Sequence, residues 1–485
     1  MPKRNRRQFM EDSMLATAAA VAAGSGRSLF AEETPSSRSP NEKLGVAVVG
    51  VRGRGKSHLG AFAGRRDTEV LYVCDVDRRV GGTRVEQVGK RQGRKPQLHE
   101  DLRRVLEDKR VDVVTIATPN HWHALMAIWA MQAGVDVYTE VPVSHNVSEG
   151  RRMVEAARKY TRICQAGSQC RSNPGMQRAM QFVASGRLGA VRLAHGVCYL
   201  RRKNLGPQGE YAVPESVNYD LWLGPAPEAP LIRPSLHYDW HWQWPYGNGD
   251  LGNQGYHQID IARWGLGLHD VSGSVISCGG RFGKLDAGQT ANTQVVFYDF
   301  GSQSLLFESR SLPSGRYRGN KSGVIFEGTD GFLVMSSYES GVAFDLDGRP
   351  LETFKGNGSH FESFLRAVRS RNLRDVSADI EEGHLSSSLC HTANISYRLG
   401  ADACVSDVPN RFDALPTSPA LTAALERTLT HLADNQVDSD NALFCLGRPL
   451  RFDAASETFG EHKTANSLLS REYRRPFSVP PAGHV

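Results

Sequence analysis

The chain has 485 residues, 40% of them hydrophobic and 23% charged, with a formal net charge of +6. That length suits two domains with appendages, and the composition excludes disordered, collagen-like and disulfide-stapled classes. No apolar run approaches the roughly 20 residues of a membrane-spanning helix, and no basic run interleaves with aromatics, which argues against a nucleic-acid partner.

At the N-terminus, "KRNRRQFM" sets Arg6 and Arg7 before Phe9, and a small, weakly apolar run follows from Met14 to Ala23. This order matches a twin-arginine export signal. The signal is expected over residues 1–31, with cleavage after Ala31, although Leu29 occupies a position that prefers a small side chain. The alternative is a basic start followed by an Ala-rich helix. Removing residues 1–31 takes away Lys3, Arg4, Arg6, Arg7 and Arg27 against Glu11 and Asp12, which leaves +3. The implied partner is the twin-arginine translocase, and the implied location is periplasmic or otherwise exported. A polar linker, "EETPSSRSPNEK", occupies residues 32–43.

Next comes "LGVAVVGVRGRGKSHLGAF", a short β-rich run that meets glycines and then a helix, as a dinucleotide-binding unit begins. Gly50, Gly53 and Gly55 are spaced G-x-x-G-x-G, and Arg52 stands where the usual fingerprint has its second glycine. There it is expected to add a charge-assisted contact to the pyrophosphate. Three further apolar runs, "EVLYVCDVD", "VDVVTIATPN" and "VDVYTEVPV", alternate with helical stretches. The pattern predicts a doubly wound parallel sheet over residues 44–165. Asp75 ends the second strand, where its carboxylate would hold both ribose hydroxyls and repel a 2′-phosphate. NAD is therefore expected over NADP, with Arg78 and Arg79 as the residues that oppose this choice.

Over residues 166–400 the pattern shifts to longer loops and alternating strands, such as "VRLAHGVCYL" and "NTQVVFYDF", with helices at "NPGMQRAMQFVASG" and "HFESFLRAVRSR". This predicts an α+β domain on an open-faced, mostly antiparallel sheet. Residues 401–485 read as an extension with one clear helix, "TAALERTLTHLAD". The eight cysteines (74, 164, 170, 198, 278, 390, 404, 445) lack C-x-x-C and zinc spacing, so buried thiols and no metal centre are expected.

The stretch "TPNHWHALMAIWAMQAGVDVYTEVPVSHN", followed by "HWQWPYGNGDLGNQGYHQIDIARWGLG" and "LLSREYRRPFSVP", resembles the Gfo/Idh/MocA family, relatives of glucose-fructose oxidoreductase and inositol dehydrogenase. The resemblance implies an NAD-binding Rossmann domain, an open-faced sheet domain, and sugar or cyclic polyol chemistry between them. It also implies a possible homo-oligomer through the open sheet face. In that family the segment matching Glu140, Val141 and Pro142 normally reads Glu-Lys-Pro, and its lysine holds a substrate hydroxyl and assists its deprotonation. Valine can do neither task. A second family position, often aspartate, is Asn253, four residues before His257. On a helix these two share a face, so His257 is the expected proton carrier and Asn253 its partner on the substrate.

Asn120 and His123 lie at the carboxyl end of a parallel strand and, with Glu140 and Pro142, are expected on the cofactor side, Asn120 also as a helix cap. Trp122 is expected to pack. The dense aromatics of "HYDWHWQWPYGNGD" make Trp240 and Trp242 candidate stacking partners for a sugar, or else anchors of a loop. Tyr199 and Arg201, in "YLRRK", are candidate substrate contacts. Three functions follow: an exported NAD-dependent sugar or polyol oxidoreductase, an NAD-dependent enzyme that cleaves glycosides through transient oxidation, or a binding protein without turnover. The export signal has its own check: Arg6→Lys with Arg7→Lys is expected to strand folded protein in the cytoplasm, read by cell fractionation, and unchanged export would remove the assignment.

Overall fold

The computed structural model describes residues 43–485, apart from the side chains of residues 413 and 414. The expected signal, and the linker up to residue 42, lie outside them. The first sheet has six parallel strands: β1 Leu44–Val49, β2 Thr68–Cys74, β3 Gln97–His99, β4 Val113–Ile116, β5 Asp136–Thr139 and β6 Cys164–Ala166, in the order 3-2-1-4-5-6. Every residue of β1 and β4 is buried, as continuous apolar runs between two helical layers require. Helices α1 Gly55–Phe62, α2 Arg78–Gln92, α3 Asn120–Gln132 and α4 Val147–Lys159 supply those layers. The Asp77 carboxylate caps α2 and the Asn146 side chain caps α4. Asn120, expected as a cap, makes no cap bond to α3 and is itself the first helical residue after Pro119.

The second sheet has eleven strands: β7 Leu193–Cys198, β8 Gly273–Gly280, β9 Thr293–Asp299, β10 Ser304–Arg310, β11 Ser322–Glu327, β12 Gly331–Met335, β13 Ser340–Asp345, β14 Pro350–Lys355, β15 Ala401–Cys404, β16 Leu443–Leu446 and β17 Leu450–Phe452. Its pairs are antiparallel except β7 with β10. Helices α5 Pro174–Ala184, α6 Tyr256–Gly265 and α8 Ile380–Arg398 cover one face, joining Met180, Ile259 and Ala393 to Phe307 and Phe326. All eight cysteines are free thiols, seven of them buried.

Two segments depart from the expected domain limits. Helix α7, His360–Ser370, comes from the second half of the chain, yet Phe361, Phe364 and Leu365 pack into the first core beside Phe62 and Val70. The segment after residue 400 is no appendage, because β15, β16 and β17 extend the second sheet. Its helix α9, Pro419–Asp434, places Leu421, Leu425 and Leu432 on Ile276, Val295, Phe297 and Leu306, so part of the expected open face is covered. Leu425→Ala is therefore expected to cost about 2–5 kcal/mol in a urea titration, the usual range for emptying a packed leucine site; a loss below ~0.5 kcal/mol, ordinary for surface changes, would mean that α9 docks only marginally.

Candidate active site

A cleft of about 650 Å³ opens between the carboxyl ends of β1, β2, β4 and β5 and segments of the second half. One wall carries Gly50, Arg52, Gly53, Asp75, Asn120, Glu140 and Val141; the other carries Tyr238, Trp240, Asn253, His257, Tyr338 and His360. This is where a doubly wound sheet places its ligands.

The glycines have different tasks. Gly50 has φ +76°, and a Cβ there would sit 2.7 Å from the Ala117 carbonyl oxygen. Gly55 lies behind the cleft wall, where a Cβ would come within 2.0 Å of the Gly50 carbonyl oxygen. Gly53 faces the cleft with no atom within 4 Å of its would-be Cβ. The loop turns sharply onto itself and presents α1 and the exposed Arg52 to the cleft.

Asp75 is buried at the end of β2, its two oxygens accepting from the Val51 and Asp77 backbone N–H groups at 2.8 and 2.9 Å. Burial raises its carboxyl above the ordinary value despite those bonds. Arg78, which was expected to oppose NAD, pairs with Glu100 at 3.5 Å and donates to the Glu215 carbonyl. Asp75 and Glu100 both line the cleft, so two carboxylates face the region where a 2′-phosphate would lie.

Glu140 follows β5 and accepts from Arg54 Nε at 3.0 Å and from His58 Nε2 at 2.8 Å. Burial by itself would raise its carboxyl; the His58 hydrogen bond and the Arg54 charge outweigh that and hold it at about 2. Glu140 is thus a fixed anion and not a proton carrier. Arg54 also reaches His360 Nε2 at 3.3 Å, and His360 Nδ1 lies 2.8 Å from the Tyr138 hydroxyl. Because the guanidinium can only donate, His360 Nε2 accepts and Nδ1 carries the proton. Burial lowers His360 to about 4.

His123 is buried in the wall and lines the cleft, as expected, with Nδ1 2.8 Å from the Pro142 carbonyl and Nε2 2.8 Å from the Thr118 carbonyl. It ties two loops together, and Pro142 turns its carbonyl to His123 without lining the cleft. Asn120 donates to Asn248 Oδ1 at 2.9 Å, across to the second half. Trp122 packs as expected, its indole N–H donating to the Leu221 carbonyl at 3.0 Å.

Asn253 lies in a π-helical turn, Leu251–Gly255, that runs into α6 and carries His257 toward the cleft. Such wide turns recur at functional sites because one added residue re-aims the side chains. The base of α6 is fixed by Asp260, whose carboxylate accepts from Arg171 at 2.9 Å and from Ser386 at 2.7 Å. The His257 ring lies 5.1 Å from that of Tyr338, and its buried Nδ1 has no hydrogen-bond partner in the protein. Burial, offset in part by Glu140 and Asp260, lowers its pKa and keeps the ring neutral. Tyr338, on the β12–β13 hairpin, meets Gln254 through its hydroxyl, and burial pushes the phenol well up.

Trp240 lines the cleft stacked on His241, with ring centroids 3.6 Å apart. Three expected substrate contacts lie elsewhere. Trp242 is a buried anchor whose indole N–H donates to Asp250 at 3.3 Å. Tyr199 continues β7 on the parity that faces away from α6, and its hydroxyl donates to buried Glu308 at 2.9 Å. Arg201 is exposed and does not line the cleft. The residues missed from the sequence are Arg54, His58, Gln254, Tyr338 and His360. Arg54, His58, Gln254 and His360 lay inside stretches already singled out, and Tyr338 did not.

Comparison with known proteins agrees with this geometry. Residues 44–168 match the NAD-binding Rossmann fold of the Gfo/Idh/MocA oxidoreductases, and residues 197–415 match their C-terminal alpha/beta domain. The chain belongs to that oxidoreductase family, and its first domain binds NAD. Among curated proteins it is similar to a glycosyl hydrolase family 109 protein of Shewanella baltica, 30% identical over 175 residues, which are 33% of this chain and 38% of that protein. An alpha-N-acetylgalactosaminidase of Shewanella oneidensis is 33% identical over 127 residues, covering 25% of this chain and 28% of that one. This chain thus spans well under half the length of either. Among solved structures, the WlbA dehydrogenase of Bordetella pertussis, in complex with NADH and UDP-GlcNAcA, aligns with a TM-score of 0.53 and 20% identity over 73% of this chain and 96% of that one. The aldose-aldose oxidoreductase of Caulobacter crescentus, complexed with glycerol, gives 0.55 and 16% over 73% and 97%.

Calorimetry is expected to show NAD binding at least about tenfold tighter than NADP, ~1.4 kcal/mol. Asp75→Asn keeps an accepting oxygen for Val51 and removes the charge, so it should narrow that gap; equal affinities in the unaltered protein would reassign the choice to Arg79.

Proposed function

We propose that this is an exported NAD-linked enzyme that oxidises a sugar hydroxyl transiently, cleaves a glycosidic bond, and releases product without accumulating NADH. The observation that carries this is Val141 in the cleft beside the fixed anion Glu140, with a neutral His257 on the facing wall. A single histidine without the lysine suits proton transfers that begin and end on one sugar. The names of the curated relatives favour cleavage over simple dehydrogenation.

Bound NAD would supply a hydride acceptor that can return the hydride within the same turnover. His257 takes the hydroxyl proton as that carbon is oxidised, since a neutral imidazole has one accepting nitrogen. The ketone so formed acidifies the adjacent C–H. His257 passes its proton to the departing glycosidic oxygen and takes the C–H proton in its place. Water adds across the double bond left behind, and the proton on His257 returns to the carbonyl oxygen as that carbon is reduced again. Asn253 and Gln254 offer amides to neighbouring hydroxyls, and the Trp240–His241 stack offers an apolar face to the ring. Tyr338, kept protonated by burial, donates. Export rests on Arg6 and Arg7, and a homo-oligomer formed through the second sheet would use its β11–β14 part, since α9 covers β8–β10.

Aryl glycosides, N-acetylhexosaminides among them, test this: the holoprotein should release aglycone with no net NADH and should incorporate solvent deuterium beside the oxidised carbon. Net NADH from free sugars would make it a dehydrogenase, and binding without turnover a binding protein. His257→Ala should lower turnover roughly 10²- to 10⁴-fold with NAD affinity nearly unchanged. Because burial lowers the His257 pKa, its base form persists in acid, and the acid limb of the rate profile should lie below the free imidazole value of about 6.5. A limb at or above that value would remove His257 as the base. Val141→Lys with Asn253→Asp should add net NADH formation.

A further inference from the structure

A second cavity, of about 300 Å³, lies on the far side of Asn248 from the cleft and is lined by His145, Trp244, His391, Arg398 and Arg471 among others. Asn248 separates the two, accepting from Asn120 of the cleft wall at 2.9 Å and donating to the His145 carbonyl at 3.0 Å.

The polar groups around this cavity are incompletely used. Arg471 donates from Nη1 to the Pro245 carbonyl at 2.9 Å, but its Nε and Nη2 are buried and make no hydrogen bond. Glu149 stands 3.7 Å from Nε, beyond hydrogen-bond range, and its oxygens already accept from the His145 backbone N–H at 2.8 Å and from Asn146 at 3.0 Å. His145 Nε2 lies 2.8 Å from the Trp244 carbonyl, which only accepts, so Nε2 carries the proton. Burial lowers the His145 pKa far enough to keep the ring neutral, which leaves Nδ1 as a buried acceptor with no partner in the protein. At the rim, the Arg398 guanidinium lies 5.2 Å from the centre of the Trp244 ring, and no carboxylate pairs with it among the described residues. Glu472, the remaining charged lining group, is exposed.

We propose that this cavity binds a small carboxylate or phosphate anion carried on a hydroxylated body. The Nε and Nη2 edge of Arg471 presents two parallel N–H groups, the arrangement that grips such anions bidentately. Arg398 adds the charge that Glu149 does not offset. Trp244 supplies the wall for the body, and His145 Nδ1 accepts from one of its hydroxyls. This site is independent of the chemistry assigned to the cleft.

The test is calorimetry on holoprotein saturated with NAD, titrated with inorganic phosphate, glucose 6-phosphate and glucuronate, with glucose as the neutral control. At least one anion should bind at one site per chain, and Arg398→Gln, at the exposed rim, should weaken it by about tenfold. Arg471→Lys, which keeps the charge and loses the fork, should weaken it further. Phosphate or carboxylate preference between the probes assigns the head group. The proposal is overturned if no anion binds, or if binding is unchanged in Arg398→Gln, which would place the anion in the cofactor cleft.

Discussion

The Glu140 carboxylate is buried where β5 ends, and three separate elements meet on it or through it. Arg54 reaches it from the glycine loop and His58 from α1. Arg54 then reaches His360 at the start of α7, a helix from the second half of the chain. A charge so little exposed is tolerated only when its partners are in position, and fully buried His58 is the partner that water cannot replace. The same network thus shapes the cofactor loop and locks α7 into the first core.

With Glu140 held as an anion, the proton chemistry of the cleft falls to neutral groups. His360 has both ring nitrogens engaged, and His123 is held between two backbone carbonyls, to one of which its single N–H donates. His257 differs, since burial keeps it neutral and its Nδ1 has no partner in the protein. Val141 adds neither charge nor donor between these walls. The cleft thus pairs the Glu140 charge with Arg54 and leaves His257, on the facing wall, as an imidazole with an open nitrogen.

Strand periodicity and the glycine loop made the first sheet, its helices and the cofactor wall legible in the sequence: Gly50, Arg52, Gly53, Asp75, Asn120 and Glu140 all line the cleft. The opposite wall was legible only at Trp240, Asn253 and His257. Tyr338 sits in a hairpin with no motif, separated from His257 along the chain by strands β8 to β12, and nothing local marks a tyrosine that a sheet will bring back to a helix. Tyr199 shows the converse error, for a one-residue change of parity on β7 sends a side chain to the other face. Trp242 and Trp240 are two residues apart in one aromatic run, yet Asp250 claims the first and the cleft keeps the second.

By itself the sequence determined what depends on neighbours along the chain: the strand-loop-helix unit, the acidic residue at the end of β2, and the alternation that builds two sheets. These follow from backbone sterics and hydrophobic periodicity, which act over a few residues. Tertiary structure alone decided that residues after 400 complete the second sheet, that α7 belongs to the first core, and that Arg54 and His58 fix Glu140 as an anion. Burial and electrostatic partnership are set by which distant segments exclude water from one another, and that information is distributed over the whole chain.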